Sequence, residues 1–182
     1  MAEKRLAGTR VLMVIAPDQF RDEELFTPHK SLAEAGAQVK IAANKLGEAK
    51  GMLGGTAKPD LLVNDAKSQD YDAVIVVGGM GSPEHLWNDK ALHAILQQAA
   101  GDNKVVAAIC LSGAALANAG VLTGKKATVW PMPESLQALE GGKAHYVEKP
   151  VVQDGKVITA NGPEAAQEFA DLIIAELSKV KV

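Results

Sequence analysis

One cysteine and one run of acids are the groups in this 182-residue chain best suited to do chemistry. Cys110 closes the stretch Val105–Ile109 (VVAAI) and is followed by Leu111, Ser112 and Gly113. A short unbroken apolar run ending in small residues reads as a buried strand that turns into a helix. A side chain held on such a turn is presented at the sheet edge. The free N–H groups and partial positive charge at the start of the next helix favour a thiolate, so the sequence predicts a lowered thiol pKa. The amide of Leu111, with that of Gly79, is a candidate oxyanion hole. Read blandly, the same residue is an inert core thiol, since free cysteine is among the most buried residue types. Its place at a strand end argues for the nucleophile.

The other candidates also follow strands. After Val11–Ala16 (VLMVIA) come Pro17, Asp18 and Gln19, then Asp22, Glu23 and Glu24. After Ala73–Val77 (AVIVV) come Gly78, Gly79, Met80 and Gly81. Ligands of open α/β sheets bind outside the carboxyl ends of the strands, so acids, glycine turn and thiol are expected on one rim. The glycines do not form a dinucleotide loop, because Glu84 stands where G-x-G-x-x-G needs glycine. Gly120–Lys125 falls one residue short of a P-loop, and Lys126 replaces its Ser/Thr. His29, His85, His93 and His145 show no paired spacing, so no metal and no other cofactor is expected.

These groups need a scaffold, and the chain supplies one. Gln38–Ala43 (QVKIAA) and Val157–Ala160 (VITA) are further strand candidates. Continuous rather than alternating apolar character suits parallel strands covered on both faces. Helical stripes lie between them: Leu25, Leu32 and Ala35 before Gly36; Leu92, Ile95, Leu96 and Ala99; Ala114 to Ala119; and Phe169, Leu172, Ile173 and Leu177 behind the cap Asn161-Gly162-Pro163-Glu164. Pro28 should kink the first helix or reset its start. Lys50–Pro59 reads as a small β-ribbon and Thr128–Val152 as an irregular insertion with short elements. Alternating strands and helices imply right-handed βαβ units in a doubly wound, mostly parallel sheet. No repeat or linker interrupts residues 1–182, which reads as one domain.

Bulk properties fit that domain. A chain this long buries roughly 70% of its unfolded surface and needs no disulfide or metal to be stable. Net charge is −3 with signs interspersed, and aromatics are 4%, so neither nucleic acid nor membrane is expected as a partner. The first apolar run is too short for a signal-peptide core or a membrane span. With a lone cysteine unable to pair internally, a reducing cytoplasm is the expected location.

Over nearly its whole length the sequence resembles the DJ-1/PfpI (ThiJ, intracellular-protease-like) superfamily. The residues that carry the likeness are FRDEELFTP (Phe20–Pro28), DAVIVVGGMG (Asp72–Gly81), AAICLSGAALANAGVLTGKKAT (Ala107–Thr128) and VITANGPEAAQEFA (Val157–Ala170). The resemblance implies a flavodoxin-like three-layer α/β/α sandwich with Cys110 on a nucleophile elbow. It implies that Glu24 approaches the thiol as a protonated acid, and that the amides of Gly79 and Leu111 face the sulfur or its oxidised oxygens. Homodimers or higher homo-oligomers are implied as well. Two departures bear on activity: Leu111 stands where the protease-like branch has histidine, and Trp130 stands where the DJ-1 branch has histidine before Pro131. Gly78, Trp130 and His85, the last in the loop after the glycines, are the remaining candidates to line the site.

Three functions are consistent with these residues. The favoured one is a cofactor-independent enzyme of glyoxalase or deglycase type, acting on a small reactive carbonyl substrate through Cys110 and Glu24. The second is a non-enzymatic, chaperone-like stress-response protein whose Cys110 senses oxidants. The third is a hydrolase or peptidase-like enzyme with another small substrate.

Overall fold

In the central strand, Arg10–Val14 and the residues after it, Val11, Met13 and Ile15 point into one core while Leu12, Val14 and Ala16 point into another. All six side chains are fully buried. This is why the strand reads as an unbroken apolar run rather than as an alternating one. The computed structural model describes residues 4–179, so the two ends of the domain expected over 1–182 lie outside the described residues.

Seven strands form the main sheet, in the order Val151–Asp154, Val157–Ala160, Val105–Ile109, Ala73–Val76, Arg10–Val14, Gln38–Ala43, Leu61–Leu62. All neighbours are parallel except the edge pair Val151–Asp154 and Val157–Ala160. Strand order reverses beside Arg10–Val14, whose partners are Gln38–Ala43 on one side and Ala73–Val76 on the other. Helices α1 (Asp22–Glu34) and α6 (Ala166–Lys179) cover one face through Leu25, Leu32, Phe169, Ile173 and Leu177. Helices α3 (Lys90–Gly101), α4 (Gly113–Asn118) and α5 (Pro133–Gly141) cover the other through Leu92, Leu96, Leu116 and Leu139. The result is a three-layer, flavodoxin-like α/β/α sandwich.

Two local expectations are corrected and two are met. Pro28 does not reset α1, which runs unbroken from Asp22 to Glu34 with acids Asp22, Glu23 and Glu24 in its first turn. The cost is one intrahelical bond, since Pro28 has no N–H to give the Glu24 carbonyl. The last helix starts at Ala166 after a 3₁₀ turn, Pro163–Ala165, because Gly162 is extended and no side chain caps the turn. The Thr128–Val152 insertion carries the nine-residue helix α5. The Lys50–Pro59 ribbon is present as the antiparallel pair Ala49–Gly51 and Thr56–Ala57, joined by Asp18–Phe20.

Candidate active site

Cys110 begins a 3₁₀ turn, Cys110–Ser112, wedged between its strand and α4. Its φ is +62°, a left-handed conformation for a residue with a side chain. Such a backbone costs about 1–2 kcal/mol and persists only where the surroundings hold it. They do so here through the two peptides that follow it. The Trp130 amide donates to the Cys110 carbonyl at 3.1 Å, and the Trp87 indole N–H donates to the Leu111 carbonyl at 2.8 Å. Trp87 is held in turn: its own carbonyl accepts from Asn118 at 3.1 Å and from His93 Nε2 at 2.8 Å. His93 is therefore spent on structure.

Glu24 comes to the thiol from the first turn of α1. It is fully buried, and neither carboxyl oxygen has a partner that meets hydrogen-bond geometry. Gly78 makes the approach possible, because a Cβ there would lie 2.5 Å from Glu24 Oε1 and 2.6 Å from the Cys110 Cβ. Gly79 is equally confined. Its φ is +114°, and a Cβ would lie 2.5 Å from the Arg21 amide nitrogen.

Burial pushes the Glu24 carboxyl up to about 8, only partly offset by the facing Cys110 side chain and by Arg21. The acid therefore holds its proton at neutral pH. Burial also pushes the Cys110 thiol up, to about 12, and the Glu24 charge adds to this, while the Leu111 and Gly79 amides pull it back. The predicted lowering of the thiol is thus corrected. At 7% exposure, desolvation outweighs what two amides and the six-residue helix α4 supply. Both groups are therefore neutral at neutral pH.

The sulfur opens on a cavity of about 450 Å³. Met52, Met80 and Trp130 are 38%, 51% and 46% exposed and make its mouth apolar. Arg21, Asn161 and Glu164 add polar groups to the wall, and the Arg21 guanidinium is clamped by two 3.0 Å bonds to Glu23. Cys110, Gly79, Leu111 and Trp130 line the cavity, whereas Glu24 and Gly78 lie against the thiol without lining it. His85 stands apart, for its ring lies 3.8 Å from Glu84 and does not line the cavity. Asn161, which the sequence places in the cap of the last helix, instead lines the cavity; as the residue after Val157–Ala160, it obeys the same strand-end rule as Cys110. Met52 arrives on the ribbon, whose tip is tied to buried Asp22 by bonds from the Leu53 and Gly55 amides. No sequence pattern marked that long-range contact. Among the described residues no His/Cys/Asp/Glu cluster is placed to hold a metal, and no helix is long and apolar enough to cross a membrane.

Comparison with known proteins places residues 9–176 on the model of the DJ-1/PfpI family. An uncharacterized protein of Methanocaldococcus jannaschii is 44% identical, across 97% of this chain and 87% of that protein. A deglycase of Pyrococcus abyssi is 31% identical, across 84% of this chain and 90% of its own. Among solved structures, a ThiJ/PfpI domain protein from Brachyspira murdochii superposes with a TM-score of 0.88 at 29% identity, covering 98% of this chain and 99% of that one.

Proposed function

The chain belongs to the DJ-1/PfpI family, and from that premise we propose that it is a cofactor-independent enzyme acting on small reactive carbonyl compounds through Cys110 and Glu24. The observation that carries the reading is the buried thiol–carboxyl pair, whose cavity has no histidine in its wall. A carboxyl that titrates at about 8 is near the pKa at which an acid–base shuttle works best at neutral pH. Cysteine proteolysis instead needs an imidazole to carry a proton to the leaving amine. The relative named a deglycase supports the same substrate class.

For a 2-oxoaldehyde the steps balance without an outside oxidant. The Cys110 sulfur bonds to the aldehyde carbon, and ionised Glu24 takes the thiol proton and passes it to the new alkoxide. The Gly79 and Leu111 amides hold that oxygen while it is charged. Glu24 then removes the hydrogen from the same carbon and returns it to the neighbouring one, while the proton on the first oxygen passes to the second through the enediol. The first carbon is oxidised to a thioester as the second is reduced to an alcohol. Water cleaves the thioester, releasing a 2-hydroxy acid and the free thiol. Loss of aldehyde turnover in Cys110→Ser supports this reading, and unchanged turnover overturns it.

A second reading rests on the unpartnered Glu24 oxygens. A neutral carboxyl and two amides around one sulfur also suit a sulfinate, as in a redox sensor. Mild peroxide would then add two oxygens to Cys110 alone, visible by mass spectrometry, and oxidation elsewhere would count against it.

A further inference from the structure

Two hydroxyls with no part in these steps are buried directly beneath the elbow. Ser112 lies two residues after Cys110, and Ser82 opens the short helix α2 (Ser82–His85) that follows the glycine turn. Both are fully buried. Ser112 Oγ donates to the Val77 carbonyl at 2.6 Å and lies 2.7 Å from Ser82 Oγ. A carbonyl only accepts, so the one Ser112 proton goes to Val77, and Ser82 must donate to Ser112.

This chain joins the two loops that carry the amides facing the sulfur. The peptide bearing the Gly79 N–H has its carbonyl, Gly78 O, held by the Arg21 amide at 3.0 Å. The peptide bearing the Leu111 N–H has its carbonyl, Cys110 O, held by the Trp130 amide at 3.1 Å. Each amide is therefore oriented from its own side by a separate segment of backbone. Val77 immediately precedes the glycines, and Ser82 is tied back to them by its own amide, which donates to Gly79 O at 3.1 Å. The Ser112 bond to Val77 is thus a direct side-chain link between the two halves.

We propose that Ser112, backed by Ser82, is a positioning residue that sets the separation of the Gly79 and Leu111 amides around the Cys110 sulfur. A merely structural hydroxyl would affect stability, since removing it leaves the buried Val77 carbonyl and the Ser82 hydroxyl unpaired. A positioning hydroxyl also affects the chemistry of the sulfur, because displaced donors no longer meet the charge that develops there.

The inference rests on reading Cys110 as the reactive centre, and the test separates the two. The rate of Cys110 alkylation by iodoacetamide is followed against pH in the wild type, Ser112→Ala and Ser82→Ala, alongside thermal melting. Ser112→Ala is expected to slow alkylation roughly tenfold at each pH, because misplaced donors stabilise the thiolate less well. Ser82→Ala keeps the Ser112–Val77 bond and is expected to show a smaller loss of rate. Lower melting temperatures with the wild-type alkylation profile in both variants would overturn the inference. Should Ser112→Ala fail to fold, Ser82→Ala decides, and an unchanged profile there also overturns it. A wild-type sulfur unreactive at every pH defeats the reading of Cys110 itself, and this inference with it.

Discussion

Glu24 and Cys110 meet across a single glycine: a Cβ on Gly78 would lie 2.5 Å from the carboxyl oxygen of one and 2.6 Å from the Cβ of the other. The pair belongs to two separate elements, the first turn of α1 and the elbow after Val105–Ile109, and the strand Ala73–Val76 brings the glycine between them.

Gly78→Ala is accordingly expected to separate acid from thiol and, because its Cβ would also lie 2.6 Å from the Ile109 carbonyl oxygen, to shift the end of the strand Val105–Ile109. Aldehyde turnover should fall roughly a hundredfold, the cost of a misplacement of about 1 Å. Retained activity in a folded variant would show that the two groups need not touch.

The buried acid also makes stability depend on pH. Glu24 has its folded pKa raised from 4.5 to about 8, so the folded protein binds more protons than the unfolded chain between those values. Its contribution is complete below about 4.5 and is lost as pH rises through about 8. Glu24→Gln removes the charge without removing the shape. Its melting temperature should match the wild type at the acid end of this window and exceed it at the alkaline end. Parallel melting curves across the window would contradict a buried, neutral acid.

The left-handed backbone at Cys110 gives a separate test. Glycine relieves the side-chain penalty at φ +62° and alanine does not, whereas both remove the sulfur. Cys110→Gly should therefore be more stable than Cys110→Ala by about 1 kcal/mol in denaturant unfolding, despite the greater flexibility of glycine when unfolded. Alanine as the better replacement would mean that the elbow relaxes.

The cavity is larger than a three-carbon ketoaldehyde requires, and Trp130, seated against the bare Gly162, gives it an aromatic wall. Aldehydes carrying an aryl group should be turned over with the lower KM. Trp130→Ala should raise that KM about fivefold, since an aromatic contact of this kind contributes on the order of 1 kcal/mol. An equal effect on small and aryl substrates would place Trp130 outside the binding surface.

Much of this site was legible in the sequence because its parts follow strands. Cys110, the glycines and the acids all come shortly after unbroken apolar runs, and a parallel sheet places such positions on one rim. The strands Gln38–Ala43, Val105–Ile109 and Val157–Ala160 have the ends their residue pattern marks. What failed was energetic. Helix-end charge is readable from position, but the desolvation that pushes the thiol up depends on how many neighbours surround it, and no local pattern states that. Distant contacts were silent for a similar reason. Asp22 reaching the ribbon and Trp87 reaching the Leu111 carbonyl join positions 24 to 33 residues apart, with no spacing rule to link them. His85 was close in sequence to the glycines, yet α2 turns its ring toward Glu84.

The central claim is that Glu24 moves the protons for Cys110, and the pH profile of 2-oxoaldehyde turnover in the wild type and Glu24→Gln tests it most directly. Turnover in the wild type should rise as pH passes through about 8, where Glu24 becomes the ionised base, and Glu24→Gln should lose both that limb and nearly all turnover. A wild-type profile that is flat through this range, or a Glu24→Gln enzyme that keeps its activity, would contradict the account.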